Sequence, residues 1–380
     1  MSNSKNAIKI LFLTLRSDWG GAPKHIDILY KNLGPEFLTY FAAPISEPYG
    51  ISWYKSAGSD RFFELEHRKF SISKLFALKN FIVKNDIKLI HVHGKGAGLY
   101  GRLLKVFLSD RIKVIFTFHG LHTDQYSFLK KKLYLFYERI FTAYTDLFIN
   151  VSFGEKKKGI SNGIIKENDS EVIYNAIPAF HDTNDKLAIR NELQLPNEKF
   201  IVLSIVRFSY AKNIEATLKI AEELISDNNI IFVIVGDGET RDQIEKQIKV
   251  HNLLNIILTG FKDNTDKYIA ASDIYLSTSR WEGLPYALIE CTMLGLPILA
   301  SDVVGNNEVV KDNFNGRLFD LNQLSLGAEY IKQLKSDNDL RIKFSKNSKD
   351  HFAQNFSIDK MIFEIQNIYK TVSNPEYAKK

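Results

Sequence analysis

The feature that most narrows what this chain can fold into is an alternation that runs through it twice. Apolar stretches of strand length are separated by longer stretches whose apolar residues recur at helical spacing. Parallel strands need long crossover connections, usually helices, so this alternation predicts parallel sheets with helices on both faces. In the first half, strands are expected at Ile8–Leu13, Leu38–Ala42, Phe62–Leu65, Leu89–Val92, Val114–Phe118, Leu147–Val151 and Val172–Tyr174. Helices are expected near His25–Asn32, Ser73–Lys84, Leu99–Leu108, Phe128–Tyr144 and Glu155–Ile160. Pro178–Pro196 is polar and reads as a linker. The pattern then restarts, with strands at Phe200–Val206, Ile230–Val235, Ile256–Thr259, Ile274–Leu276, Ile298–Ala300 and Gly316–Phe319. Its helices are expected near Ile214–Leu224, Thr240–Val250, Asp266–Ala271, Tyr286–Leu294, Gln323–Leu334 and Leu340–Phe352. A last helix from Phe356 is apolar on one face, and Pro375–Lys380 reads as a frayed tail. The 380 residues suffice for two such doubly wound domains, which take ligands at the C-terminal ends of their strands.

The polar motifs fall at those ends. Arg280-Trp-Glu282-Gly-Leu284-Pro285-Tyr286 follows one strand, and Glu290 comes eight positions after Glu282. Pro285 suits the first helical position, Gly295 the left-handed stop, and Pro297 lies just beyond. A helix start favours an anion such as a diphosphate, and two nearby carboxylates can accept hydrogen bonds from sugar hydroxyls. Arg207 and Lys212 close the first strand of the second half, and Gly236-Asp237-Gly238 closes the next. That last motif is a turn first, because position 241 is Arg and no GxGxxG fingerprint forms. In the first half, Gly20-Gly21-Ala-Pro-Lys-His25 follows the first strand. His91-Val-His93-Gly-Lys95 and Thr117-Phe-His119-Gly120-Leu-His122 end two later ones. His-x-His hints at metal, but no cysteine or carboxylate cluster completes a zinc site in the sequence nearby.

These motifs resemble the Glu-x7-Glu signature and strand ends of retaining glycosyltransferases of family 4, in the branch that builds bacterial surface polysaccharides. The resemblance spans nearly the whole chain and is strongest in the second half. It implies the α/β GT-B fold: two Rossmann-like domains facing across a cleft that closes during turnover. The acceptor domain is expected over 1–180 and the nucleotide-sugar donor domain over 197–355, with a crossover helix at 356–374 returning to the first domain. It further implies that Arg207 and Lys212 grip the donor diphosphate, with the amides near Leu284, Pro285 and Tyr286 completing the cradle. Glu290 is expected on the ribose and Glu282 on sugar hydroxyls. His119 and the Gly20-Gly21 loop are expected at the reacting centre. Gly236 is a nucleotide contact second to its turn role, and His93 and Lys95 are candidates for the acceptor or sugar pocket. Family members often carry Gly after the Arg-x4-Lys pair and after Asn175, where this chain has Asn213 and Ala176. Asn175 is therefore left outside the site.

The implied activity is transfer of a sugar with retention from a nucleotide diphosphate sugar, UDP ahead of GDP. The expected acceptor is a lipid-linked glycan in O-antigen or capsule synthesis. No cofactor and no metal is expected. A nucleotide-sugar epimerase of the same fold and a two-lobed sugar-binding protein are the alternatives. A dehydrogenase is disfavoured by the missing glycine fingerprint.

Net charge is +6, which is compatible with nucleic acid, an anionic membrane or a phosphorylated ligand, and nucleic acid is not the expected partner. Ala7–Leu15 has the apolar length of a signal-peptide core but runs into Arg16-Ser-Asp18 without a cleavage pattern. No stretch approaches the ~20 apolar residues that span a bilayer. With Cys291 as the sole cysteine, a cytoplasmic setting is expected, including a peripheral position on the inner face of the membrane. Lys130–Lys132 opens an aromatic-rich helical stretch that can lie on an anionic membrane surface. The blander reading, a core helix with a solvated lysine end, is the one sequence alone favours.

Overall fold

A computed structural model describes residues 7–121, 123, 126–179 and 185–374. His122, part of the expected linker and the expected tail lie outside them. The chain forms two compact units, Met1–Asn175 with Asp359–Lys380, and Ala176–Ile358.

The first unit holds seven strands: β1 (Ile8–Thr14), β2 (Phe37–Ala43), β3 (Phe62–Glu64), β4 (Leu89–His93), β5 (Lys113–Thr117), β6 (Leu147–Asn150) and β7 (Ser170–Val172). They lie in the order β3-β2-β1-β4-β5-β6-β7, every neighbouring pair parallel. The second unit holds β8 (Phe200–Ile205), β9 (Ile230–Val235), β10 (Ile256–Gly260), β11 (Ile274–Ser277), β12 (Ile298–Ser301) and β13 (Gly316–Phe319). Their order is β10-β9-β8-β11-β12-β13, again all parallel. Twelve of the thirteen expected strands are present within a residue or two, because a strand covered on both faces reads as an unbroken apolar run; β7, Ser-Glu-Val, shares only Val172 with the expected Val172–Tyr174. Ile10 to Leu13 and Ile230 to Val235 are buried throughout. Two Rossmann-like units of this kind make an α/β protein of the GT-B class.

Strand order reverses between β1 and β4 in one sheet and between β8 and β11 in the other. Loops leaving the C-terminal ends of strands flanking such a point diverge and leave a crevice, where ligands of doubly wound sheets bind.

Three further details differ from the sequence expectation. Part of the expected linker is a helix, Lys186–Glu192, in the second unit. Arg190 pairs with Asp273 at 2.8 Å, Lys186 reaches the other Asp273 oxygen at 2.6 Å, and Asp273 also accepts from the Ile201 amide at 2.7 Å. Polar residues that looked solvated are thus tied to the start of β8 by one partly buried carboxylate. Pro285 is the N-cap, not the first helical residue, and its ψ of 123° is extended; the helix runs Tyr286–Leu294. Gly295 does take the left-handed stop, at φ 76°.

The third difference is the helix Phe128–Thr142. Glu138 is its only fully buried residue among those described, paired with buried Arg102 at 2.6 Å. Phe128, Leu129, Leu133, Phe136 and Ile140 are exposed, at 75, 67, 62, 64 and 49%. The helix does rest on the core, through the partly buried Tyr134 and Leu135, and its inward polar contact goes to Arg102, but much of the apolar set faces outward. The last helix, Ile358–Ser373, belongs to the first unit and buries Tyr369 against β4, as the amphipathic spacing requires.

Candidate active site

In the second unit, the loop after β8 carries Arg207 and Lys212, and the loop after β11 carries Glu282. Asn213 sits in the left-handed conformation at φ 53°, which Asn tolerates better than most residues, and this explains how it stands where a glycine is usual. Thr278 ties the two loops by donating to the Asn213 carbonyl at 3.0 Å, and the Arg280 amide donates to Ala211 O at 2.8 Å. Lys212 Nζ therefore meets Glu282 Oε1 at 2.5 Å, and Ser279 Oγ donates to the same oxygen at 2.6 Å. Both ions are partly buried, with side chains 26 and 12% exposed. Glu282 is braced from behind, where its amide donates to Val304 O. A side chain at Gly305, φ 89°, would come within 2.5 Å of Gly283 O and 3.0 Å of Glu282 Cβ.

Arg207 is more open and pairs with Glu239 at 3.3 Å. Glu290 is partly buried on the helix Tyr286–Leu294, whose first turn is flanked by buried Leu284 and Tyr286. Beneath the group lies Tyr275, whose phenol burial pushes well up, with Cys291, Glu282 and Glu290 adding to the rise. Cys291 is buried and its thiol is likewise pushed up, so it is inert packing. Gly236 has φ 140°, and a Cβ there would lie 1.9 Å from Val206 O. Its first duty is to let the β9 turn pass the end of β8.

In the first unit, the strand ends gather imidazoles. His91 and His93 lie two apart on β4, and His119 follows β5. The helix Gly21–Asn32 brings in His25 one turn past the Gly20-Gly21 loop. His93 Nδ1 and His119 Nε2 share a hydrogen bond of 2.9 Å. The His25 ring lies edge-on to His119, with centroids 5.0 Å apart, and 5.7 Å from His93. One nitrogen from each of His25, His93 and His119 lies within 4.8 Å of the other two, a spacing that could hold a metal ion. Sequence reasoning missed His25, since nothing in a helix start indicates which side chain a sheet will receive; its place just after the glycine pair was the available clue.

Burial keeps these rings neutral. It holds His25 down at about 4 against an ordinary 6.5, while an Asn175 hydrogen bond pulls the other way. It also lowers His91, His93 and His119 well below their ordinary value, and the neighbouring imidazoles add to this. Asn175, set aside above, thus abuts the cluster. His91 is locked between Tyr369 Oη at 2.6 Å and Thr117 Oγ1 at 2.9 Å, a structural post. Lys95 holds its ammonium over the rings of Tyr134, 4.7 Å away, and Tyr126, 5.2 Å away. Gly20 caps its helix, and a Cβ there would press on Arg16 Nη2 at 3.0 Å.

Comparison with known proteins fits this geometry. The family profile described as "Glycosyl transferases group 1" matches residues 185–351, and that described as "Glycosyltransferase Family 4" matches residues 19–179. Among curated proteins, the chain is 27% identical over 310 residues to the Escherichia coli UDP-Gal:alpha-D-GlcNAc-diphosphoundecaprenol alpha-1,3-galactosyltransferase, covering 78% of this chain and 79% of that one. It is 32% identical over 269 residues to a 41.2 kDa protein in the cps region of Klebsiella pneumoniae, covering 65% of this chain and 70% of the relative. Among solved structures, Anabaena Alr3699/HepE in complex with UDP and glucose superposes with a TM-score of 0.84 at 18% identity, covering 96% of this chain and all of that one. Two doubly wound parallel sheets, each with polar side chains on the loops past its strand ends, are the units from which the GT-B class of sugar-transferring proteins is built. This chain belongs to glycosyltransferase family 4 and is a glycosyltransferase of GT-B type.

Proposed function

We propose that this glycosyltransferase moves a hexose from a UDP-sugar, with retention of configuration, to a lipid-linked glycan in surface-polysaccharide synthesis. The observation that carries the reading is the Lys212–Glu282–Ser279 cluster at the switch point of the second sheet. A diphosphate has the charge to take Lys212 from Glu282, and the released carboxylate then accepts from sugar hydroxyls. Arg207 adds a second cation, and the start of the helix Tyr286–Leu294 supplies the favourable end of its dipole. Two cations beside the departing diphosphate stabilise charge that grows in the transition state, without a metal. Glu290 takes the ribose. His119, neutral and half-shielded, lies against the transferred sugar. The leaving diphosphate helps remove the acceptor proton. The Escherichia coli and Anabaena relatives support UDP by their names, and the former also supports a diphosphoundecaprenol acceptor.

A lipid-linked acceptor needs an approach to the membrane. No helix of the described chain is long and apolar enough to cross one. The helix Phe128–Thr142 offers a surface alternative. Leu129, Leu133, Phe136 and Ile140 recur at spacings of four, three and four along one exposed stripe, next to Lys130, Lys131 and Lys132. Apolar side chains beside ammonium groups suit the headgroup boundary of an anionic bilayer. We assign that helix as the membrane-facing element.

Labelled UDP- and GDP-sugars, incubated with the protein and a lipid-linked acceptor in the presence of a chelator, test the reading. Transfer from a UDP-sugar with the anomeric configuration kept supports it. Release of UDP without a transferred sugar would point to an epimerase or a hydrolase, and loss of transfer in the chelator would overturn the metal-free account.

A further inference from the structure

His119 stands on unusual backbone, and a buried carboxylate outside the motifs holds that backbone in place. His119 has φ 57° and Gly120 φ 114°, two successive positive values. Such a conformation is unfavourable for a non-glycine residue, so it persists only where neighbours impose it. The neighbour is Glu155. Its Oε1 accepts from the Gly120 amide at 2.5 Å, and its Oε2 accepts from the Val151 amide at 2.9 Å. The residue is 1% exposed.

In sequence, Ser152-Phe-Gly-Glu155 is a capping box for the helix Phe153–Ser161, and Ser152 Oγ does accept from the Glu155 amide at 3.1 Å. A capping-box carboxylate ordinarily turns back to its own helix end. This one turns back with Oε2 to Val151, just past β6, and reaches with Oε1 to the loop after β5, so it fastens two adjacent strand ends together. The imidazole is fixed from the other side by the His93 hydrogen bond. Ring and backbone of His119 are thereby held independently. His93 Nδ1 and His119 Nε2 are engaged with one another, one ring donating its N–H and the other accepting.

We propose that Glu155 is the positioning residue of the sugar-contacting histidine. It acts through the Gly120 amide and touches no substrate. A carboxylate accepts at both oxygens, whereas Gln presents an NH2 to one of the two amides and must lose that bond. Without it, the His119-Gly120 turn relaxes away from its left-handed geometry and the ring moves. The inference rests on the reading of His119 as a sugar contact, and the test separates the two.

The experiment is a cycle of Glu155→Gln, His119→Ala and the double variant, with steady-state kinetics, UDP binding and imidazole 15N spectra of the full chain. A displaced catalytic group costs about 100-fold, so Glu155→Gln is expected to lower kcat by about 10- to 100-fold while UDP affinity stays within about 3-fold. In the His119→Ala background, Glu155→Gln should change kcat by less than about 2-fold, because both act through one ring. The His93 and His119 nitrogen signals should shift in Glu155→Gln. A merely structural Glu155 would lower melting temperature and active fraction, leave those signals in the folded fraction unchanged, and add its full effect in the double variant; that result overturns the proposal. If His119→Ala keeps wild-type kcat while the signals still move in Glu155→Gln, Glu155 positions the ring and the sugar-contact reading of His119 is what fails. Glu155→Asp, too short to reach both amides, should behave like Gln rather than rescue.

Discussion

In the first unit, the end of β4 and the loop after β5, with the helix after β1, bring together imidazoles whose burial favours the uncharged form. In the second unit, the loops after β8 and β11 bring together a lysine and a glutamate that stay partly open to water and pair at 2.5 Å. Architecture is the same in both: parallel strands, a reversal of order, and polar residues just past the strand ends. The chemistry differs because the surroundings do. Removing water from an ionisable ring favours its neutral form, whereas a partly exposed ion can keep its charge if a counter-ion stands beside it. A neutral cluster suits hydroxyl-rich, uncharged matter such as a hexose. An ion pair at a strand end suits a ligand that can replace one partner, which a diphosphate does.

The largest expected effect breaks or confirms the ionic half. Lys212→Ala removes a cation from the proposed leaving group and should lower transfer by about 1000-fold, in the range of losing one well-placed charge stabiliser. The fold should persist, since Lys212 is 26% exposed. Wild-type turnover in that variant would remove the diphosphate assignment and with it the contrast between the units.

Next in size is the response to acid, which sharpens the neutral half. Folded-state values of these imidazoles lie below 6.5, so below that pH the unfolded chain binds more protons than the folded one. Stability from this source is complete above about pH 6.5 and is lost progressively as pH falls toward about 4, the value for His25. His25 alone accounts for on the order of 3 kcal/mol across that window. The second unit has a half-buried His351 lowered in the same direction, without a cluster around it. Hydrogen exchange between pH 7 and 4 should show the first unit losing amide protection before the second. Simultaneous loss would mean that the imidazoles do not set the acid limit.

Smallest is the membrane effect, confined to the first unit. Leu133→Glu with Phe136→Glu places two carboxylates on the exposed stripe of the helix Phe128–Thr142. Co-sedimentation with vesicles rich in phosphatidylglycerol should weaken by about 10-fold or more, at about 0.8 kcal/mol per CH2 no longer buried. Transfer to a short water-soluble acceptor should be unchanged. If wild-type protein ignores anionic vesicles and is instead a dimer through this stripe, the lipid assignment falls.

Much of this was legible in the chain. Every strand but the last of the first unit could be read from its apolar run, and the Glu282-to-Pro297 stretch located both the helix and its glycine stop. Those signals are local: burial on two faces forces continuous apolarity, and only glycine turns left-handed at little cost. The ion pair of Lys212 with Glu282, 70 positions apart, was not readable as a contact, nor was the use of His25 beside His93 and His119. The Ser152-to-Glu155 spacing marks a capping box, and nothing in it shows that the loop after β5 lies within reach of the carboxylate. The outward stripe of Phe128–Thr142 needed the buried Arg102–Glu138 pair to show which side faces in.

The amino-acid order therefore determined the alternation of elements, the places where the chain turns, and the types of side chain at each strand end. Tertiary structure decided which of those side chains meet and which of them water reaches. The physical reason is range: backbone sterics and apolar periodicity act over a few residues, whereas charge state and hydrogen-bond partnership depend on groups that only strand pairing brings within a few ångströms.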